Sequence, residues 1–200
     1  MAVTIAILFM SCIAPFSEMQ SAATLGSEHI EFTGFYSDVG THGEHDNIQK
    51  HIGVLVGFGI MNRIDMRMRF EGVKVGDDGF DKIVVSAGPK LSLIPNYLSF
   101  YIPIGTSLDG SKIWQTHPTI LFSIPISRYF HINTSAKYLY TLNRSLEDSY
   151  AMNLGLALGG NGIWSIRPEY GVLIEPESQN KYQHFSIGIA ISPSKFHRND

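Results

Sequence analysis

The stretch Ile163-Trp-Ser-Ile-Arg-Pro-Glu-Tyr-Gly-Val-Leu-Ile174 decides the fold. Its even positions are Trp164, Ile166, Pro168, Tyr170, Val172 and Ile174; its odd positions include Ser165, Arg167, Glu169 and Gly171. Successive side chains of an extended strand point to opposite faces, so a period of two makes one apolar face and one polar or small face. The same split sets Tyr150, Met152, Leu154, Leu156 and Leu158 against Ser149, Ala151, Asn153, Gly155 and Ala157. It recurs in Ile64, Met66, Met68 and Phe70 against Asp65, Arg67, Arg69 and Glu71, and in Phe185, Ile187, Ile189 and Ile191 against His184, Ser186, Gly188 and Ala190. No segment carries a convincing helical period.

Outward from that stretch, the pattern predicts ten strands near 28–37, 50–61, 64–74, 82–93, 97–107, 112–125, 129–141, 149–160, 163–174 and 182–192. Several are long for globular strands and close to the 9–11 residues, about, that a tilted strand needs to cross a bilayer. The connections alternate. Short turns fall at 61–63, 94–96, 126–128 and 160–162, and longer polar ones at 37–49, 75–81, 108–111, 141–147 and 175–181. An even-numbered, up-and-down antiparallel meander with tight turns on one rim and long loops on the other is the plan of an outer-membrane β-barrel. The expected class is therefore all-β, a transmembrane barrel of about ten strands.

Composition bounds the rest. The chain has 200 residues, 44% apolar and 16% charged, with a net charge of -3; it is long enough for one domain with a sizeable core, two at most, and lacks the basic excess of a nucleic-acid binder. One Cys excludes an internal disulfide or a multi-cysteine metal site. A soluble barrel of the calycin kind, enclosing an apolar ligand, is the alternative; its outer face should be rich in Lys and Glu. Here the second face instead carries Gly53, Gly57, Gly59, Gly88, Gly105, Gly155 and Gly188, residues suited to a crowded barrel interior. Trp114, Phe130, Tyr138, Tyr140, Tyr150, Trp164 and Tyr170 fall in the opposite, outward set, several near strand ends as interfacial girdles require.

The phrases Gly57-Phe-Gly-Ile-Met-Asn-Arg-Ile-Asp-Met-Arg-Met-Arg-Phe70, Gly88-Pro-Lys-Leu91, Tyr101-Ile-Pro-Ile-Gly105 and His117-Pro-Thr119 resemble small bacterial outer-membrane β-barrel proteins, often lipoproteins, of uncharacterised function. The resemblance covers about 28–192 and implies an outer-membrane location, with membrane lipid as partner and no agreed activity. Residues 1–12 read as a signal or lipoprotein-type segment: a short apolar run ends in Ser11-Cys12, which resembles a lipoprotein box with Cys12 as the lipidated residue, although Phe9 and Met10 depart from its usual residues. Residues 13–27 read as a linker, 28–192 as the barrel and 193–200 as a tail.

Chemistry-bearing residues gather on the polar face. Glu31, Asp65, Arg67, Arg69, Glu71, Lys90, His117, His131, Lys137, Arg167, Glu169 and His184 form an expected lumen charge network. Opposite charges in a narrow interior pair and fill it; alternatively Arg67, Arg69, Lys90 and Arg167 serve a small polar or anionic solute. The expected roles are a small or closed pore, a solute-binding barrel or a structural element of the envelope, with no cofactor and no nucleic acid. No catalysis is expected: His131 and Ser135 share a face but stand four residues, about 13 Å, apart along one strand, too far for proton transfer. The loop Thr41-His-Gly-Glu-His-Asp46 has metal-ligand residue types without a fixed spacing and reads as solvated.

Overall fold

The computed structural model describes residues 15–41, 47–75, 82–108, 113–143, 147–160 and 163–193. The strands are β1 (Ile30–Thr41), β2 (Asn47–Met61), β3 (Ile64–Val75), β4 (Lys82–Ile94), β5 (Leu98–Tyr101), β6 (Ile104–Ser107), β7 (Trp114–Thr116), β8 (Thr119–Ser127), β9 (Phe130–Thr141), β10 (Ser149–Gly160), β11 (Trp164–Glu175) and β12 (Asn180–Ile191). All pairings are antiparallel, and β1 pairs β12 from Phe32↔Ile191 to Thr41↔Tyr182. That ladder closes the sheet, so every strand has two neighbours and no long edge is left unpaired.

The twelve pieces make ten staves, because β5 with β6, and β7 with β8, are each one stave interrupted once. Both were expected as continuous strands, and both breaks fall at a proline: Ile102-Pro103 and His117-Pro118. Proline has no N–H to give to a ladder. The two breaks lie side by side, and hydrogen bonds carry the wall across them: Ile102 N donates to Pro89 O at 3.1 Å, His117 N to Pro103 O at 3.3 Å and Tyr138 N to Pro118 O at 3.1 Å. The wall is therefore a closed ten-stranded barrel, as the alternation predicts.

Alternation along each strand translates into two chemically distinct surfaces. Phe32, Ile52, Phe70, Met152, Phe185 and Ile189 belong to the outward set and are exposed. The exposed large apolar residues number 39 among those described. They ring the wall, whereas a soluble protein keeps contiguous apolar patches to a few hundred Å², so this face meets hydrocarbon rather than water. The soluble alternative needs the apolar face inside and is excluded by this orientation. None of the seven aromatics expected on the outside is buried, and Tyr138, Tyr140 and Tyr150 pack together near the long-loop rim with ring centroids 6.4 and 5.0 Å apart.

The described part of the expected linker is not outside the fold. Residues 15–25 run through the barrel as an extended strand-like thread, with Phe16, Ser17, Glu18, Met19, Gln20 and Ala22 buried. Phe16 packs with Val39, Leu139, Ala151, Leu173 and Tyr182, all at strand ends on the long-loop rim. At the other end, Thr24 Oγ1 donates to Asn62 O at 2.8 Å, and the backbone of Gly26 crosses Gly59 so closely that a Cβ on Gly59 would lie 1.6 Å from Gly26 O. The thread thus passes from the long-loop rim to the tight-turn rim, turns, and enters β1. A small-polar composition hides this because the segment is satisfied by the wall, not by its own periodicity. Residues 1–12, with Cys12, residues 42–46 and residues 194–200 lie outside the described residues.

Candidate functional site: a threaded, charged lumen

Side chains at alternate positions of β1, β2, β3, β4, β9, β11 and β12 point inward, and most of the charged ones bind either one another or the thread. Glu31 lies between two arginines: it accepts from Arg67 Nη1 at 2.7 Å, from Arg167 Nη2 at 2.6 Å and from Arg167 Nη1 at 3.3 Å. Arg67 Nη2 also donates to Asp65 Oδ2 at 2.9 Å, and Lys90 Nζ stands 3.4 Å from the same oxygen. A second group joins His51, Glu71 and Arg69: His51 Nδ1 is 2.6 Å from Glu71 Oε1, and Arg69 Nε is 2.6 Å from Glu71 Oε2. Burying such ions costs several kcal/mol each unless they are paired and hydrogen-bonded, which accounts for this density of contacts.

The remaining valences go to the main chain of 15–25. Lys137 Nζ donates to Pro15 O at 3.0 Å and forms an ion pair with Glu18 at 2.8 Å. Arg69 donates to Ser17 O and to Ser17 Oγ, both at 2.7 Å. Glu169 accepts the amides of Glu18 at 2.6 Å and Met19 at 3.0 Å, and Arg167 donates to Met19 O at 2.7 Å. Lys90 reaches Ala23 O at 2.6 Å, Asp65 accepts from Leu25 N at 3.0 Å, and Asn153 donates to Phe16 O at 3.1 Å. Ala22 is held at both ends, its amide donating to Ser123 Oγ at 2.7 Å and its carbonyl accepting from Ser99 Oγ.

An extended segment away from any ladder must find partners for its backbone groups, and here wall side chains supply them. The grip explains a conformation that is otherwise unfavourable: Met19 has φ 54°, in the left-handed region. Its N–H and C=O are clamped by Glu169 and Arg167, and its side chain fills a cluster with Phe35 and Leu55. Phe16, Met19 and Ala22 each enter a separate apolar cluster of the lumen.

Of the twelve residues expected in the charge network, nine interlock as described: Glu31, Asp65, Arg67, Arg69, Glu71, Lys90, Lys137, Arg167 and Glu169. The three histidines stand apart. His184 belongs to a neutral chain with Ser186 at 2.7 Å and Asn153 at 3.1 Å. His117, in the proline break, is buried with its ring centroid 6.3 Å from that of Tyr101 and with Nδ1 unpartnered among the described residues. His131 is half-buried at the tight-turn mouth, whereas Ser135 is buried deeper on the same strand. Sequence reasoning did not pick out Glu18, Ser17, His51 or Asn153. The one available signal was Glu18 itself, the sole charge in 13–27, flanked by Phe16 and Met19. Among the described residues no cluster of three or more His, Cys, Asp or Glu is arranged to hold a metal ion.

Comparison with known proteins gives similarity to solved structures alone, at TM-scores below 0.5. No protein-family model matches the chain, and no curated protein matches it. Among solved structures, the translocator domain of the autotransporter NalP from Neisseria meningitidis aligns at 9% identity and TM-score 0.46, over 84% of this chain and 89% of that one. The KdgM porin aligns at 10% identity and TM-score 0.44, over 83% of this chain and 99% of that one. A de novo designed transmembrane β-barrel aligns at 13% identity and TM-score 0.42, over 86% and 100%. By its own closed wall, apolar outside and charged inside, this chain is a transmembrane β-barrel of the outer-membrane type.

Proposed function

We propose that this protein is an exported, self-plugged barrel of a bacterial outer membrane, closed to solutes by residues 15–25. The observation that carries the reading is that Lys137, Arg69, Arg167, Glu169, Lys90 and Asp65, the side chains that would line a polar path, are bound to the backbone of this thread. Ten staves enclose only a modest interior, and one extended chain with its contacts fills most of it. The role is that of a closed pore or structural envelope element, with membrane lipid around it. No catalytic step belongs to this reading.

Planar-bilayer recording tests it. The full chain should give almost no steady conductance. The Lys137→Ala/Glu169→Ala variant, which loses grips on Pro15, Glu18 and Met19, should open far more often. Large steady conductance of the unaltered chain would overturn the proposal.

A further inference from the structure

The thread does not fill the whole interior. At the tight-turn mouth lies a cavity of about 330 Å³, bounded by the thread from Ser21 to Leu25 and by the inner wall. It exists because β10, β11 and β12 contribute the small residues Ala157, Gly159, Ser165 and Ala190 there, while cationic side chains, Arg167 of β11 among them, are placed around it. Arg67, Arg167, Arg128, His29 and His131 line it, and Glu31 is the one carboxylate among the described lining residues. Glu31 is fully engaged by the two buried arginines, and Asp65 is shared by Arg67, Lys90 and the Leu25 amide. Three cations, Arg67, Arg167 and Lys90, therefore face two carboxylates, and Arg128 on the turn adds a further positive charge.

Arg67 is almost wholly buried, yet its Nε has no hydrogen-bond partner among the described residues. A buried guanidinium N–H without an acceptor costs free energy, so the cavity floor holds a cation short of one partner. Arg128 makes a cation–π contact with Tyr129 at 4.5 Å and carries no carboxylate partner among the described residues. The cavity also borders Tyr129 and Trp164, aromatics at the level where a barrel meets lipid headgroups.

We propose that this mouth cavity is an oxyanion site that takes a phosphate group, with Arg67 and Arg167 at its floor and Arg128 and His131 as the contacts not committed to the thread. The phosphate comes from one of two sources, a soluble phosphate compound or the headgroup of an anionic lipid; the second rests on the membrane-barrel reading.

Equilibrium dialysis of labelled inorganic phosphate against the full chain in maltoside detergent, at ionic strength matched with chloride, tests the site. Saturable binding near one phosphate per barrel is expected, weakened at least about tenfold in Arg128→Ala/His131→Ala, the factor that losing one charge-assisted contact carries. Neither residue grips the thread, and heat-dependent gel mobility verifies that the variant still forms a barrel. Repetition in nanodiscs then assigns the source: binding retained in phosphatidylglycerol discs makes soluble phosphate the ligand, and binding lost there but kept in detergent makes the headgroup the ligand. No saturable binding in detergent, or binding equal in the variant, overturns the proposal, while a preserved mobility shift leaves the membrane-barrel reading intact.

Discussion

The two ends of the lumen are closed by different means. At the long-loop end, Phe16 sits among Val39, Leu139, Leu173 and Tyr182, so the charged grips of Lys137 are backed by a packed apolar cluster. At the tight-turn end, Glu31, Asp65, Arg67, Arg167 and Lys90 form a chain of ion pairs beside an unfilled cavity. Packing there gives way to charges whose geometry holds the thread but leaves space next to it. The start of the segment is thus anchored by packing together with the Lys137, Arg69 and Asn153 contacts, and its end by the ion-pair chain beside open space, so the second end is the one with room to meet a further polar group.

The largest expected effect comes from breaking the ionic end. Glu31→Leu leaves Arg67 and Arg167 buried against each other without their shared carboxylate. Removing one partner of a buried ion pair costs about 3–5 kcal/mol. Urea unfolding in detergent micelles should show a loss of that size. A loss below about 1 kcal/mol would mean that water reaches the arginines freely. Phe16→Ala probes the packed end, where truncation of a buried phenyl ring costs about 3 kcal/mol. That cost falls on docking of the thread, because the hydrogen-bonded wall contains no residue of 15–25. Heat-resistant migration on gels should therefore persist in Phe16→Ala while conductance rises.

The wall was legible in the sequence and the thread was not, for a physical reason. Trp164 to Ile174 and Ile64 to Glu71 announce their faces because each strand is solvated by two different media, lipid and lumen, at alternate residues. The inward side chains of Asp65, Arg67, Arg69 and Glu71 follow from parity alone. Residues 15–25 have no such rule: their partners bind peptide N–H and C=O groups, which every residue type except proline offers alike. The breaks at Pro103 and Pro118 were visible as prolines, but whether a strand tolerates the missing donor depends on its neighbours. Here two breaks lie side by side, and His117 N to Pro103 O repairs both staves at once. The mouth cavity required knowing that Ala157, Gly159, Ser165 and Ala190 come from three strands at one level.

Thiol labelling sharpens the comparison along the thread. With Cys12→Ser as background, Ser17→Cys replaces a fully buried residue in the Arg69 grip, and Ser21→Cys replaces a half-buried one that borders the mouth cavity. Labelling by a small water-soluble maleimide should be at least about tenfold faster at 21 than at 17, since a protected site reacts only through local opening. Equal rates would show that the thread moves out as one body, and the distinction between its ends would disappear.

Salt should produce the smallest effect. Were the ions of the tight-turn end exposed, raising NaCl from about 0.1 to about 1 M would shorten the screening length from about 10 to about 3 Å and weaken them markedly. The carboxylates and guanidinium groups here are almost fully buried, with pair distances of 2.6–2.9 Å at Glu31 and Asp65. Mobile ions do not enter between them, so the urea midpoint should shift by no more than an equivalent of about 0.5 kcal/mol. The same salt series should act strongly on Arg128, which is exposed on its turn. Phosphate binding that falls with salt while stability stays constant would separate the two kinds of charge at this end: those that hold the thread, and those left to hold something else.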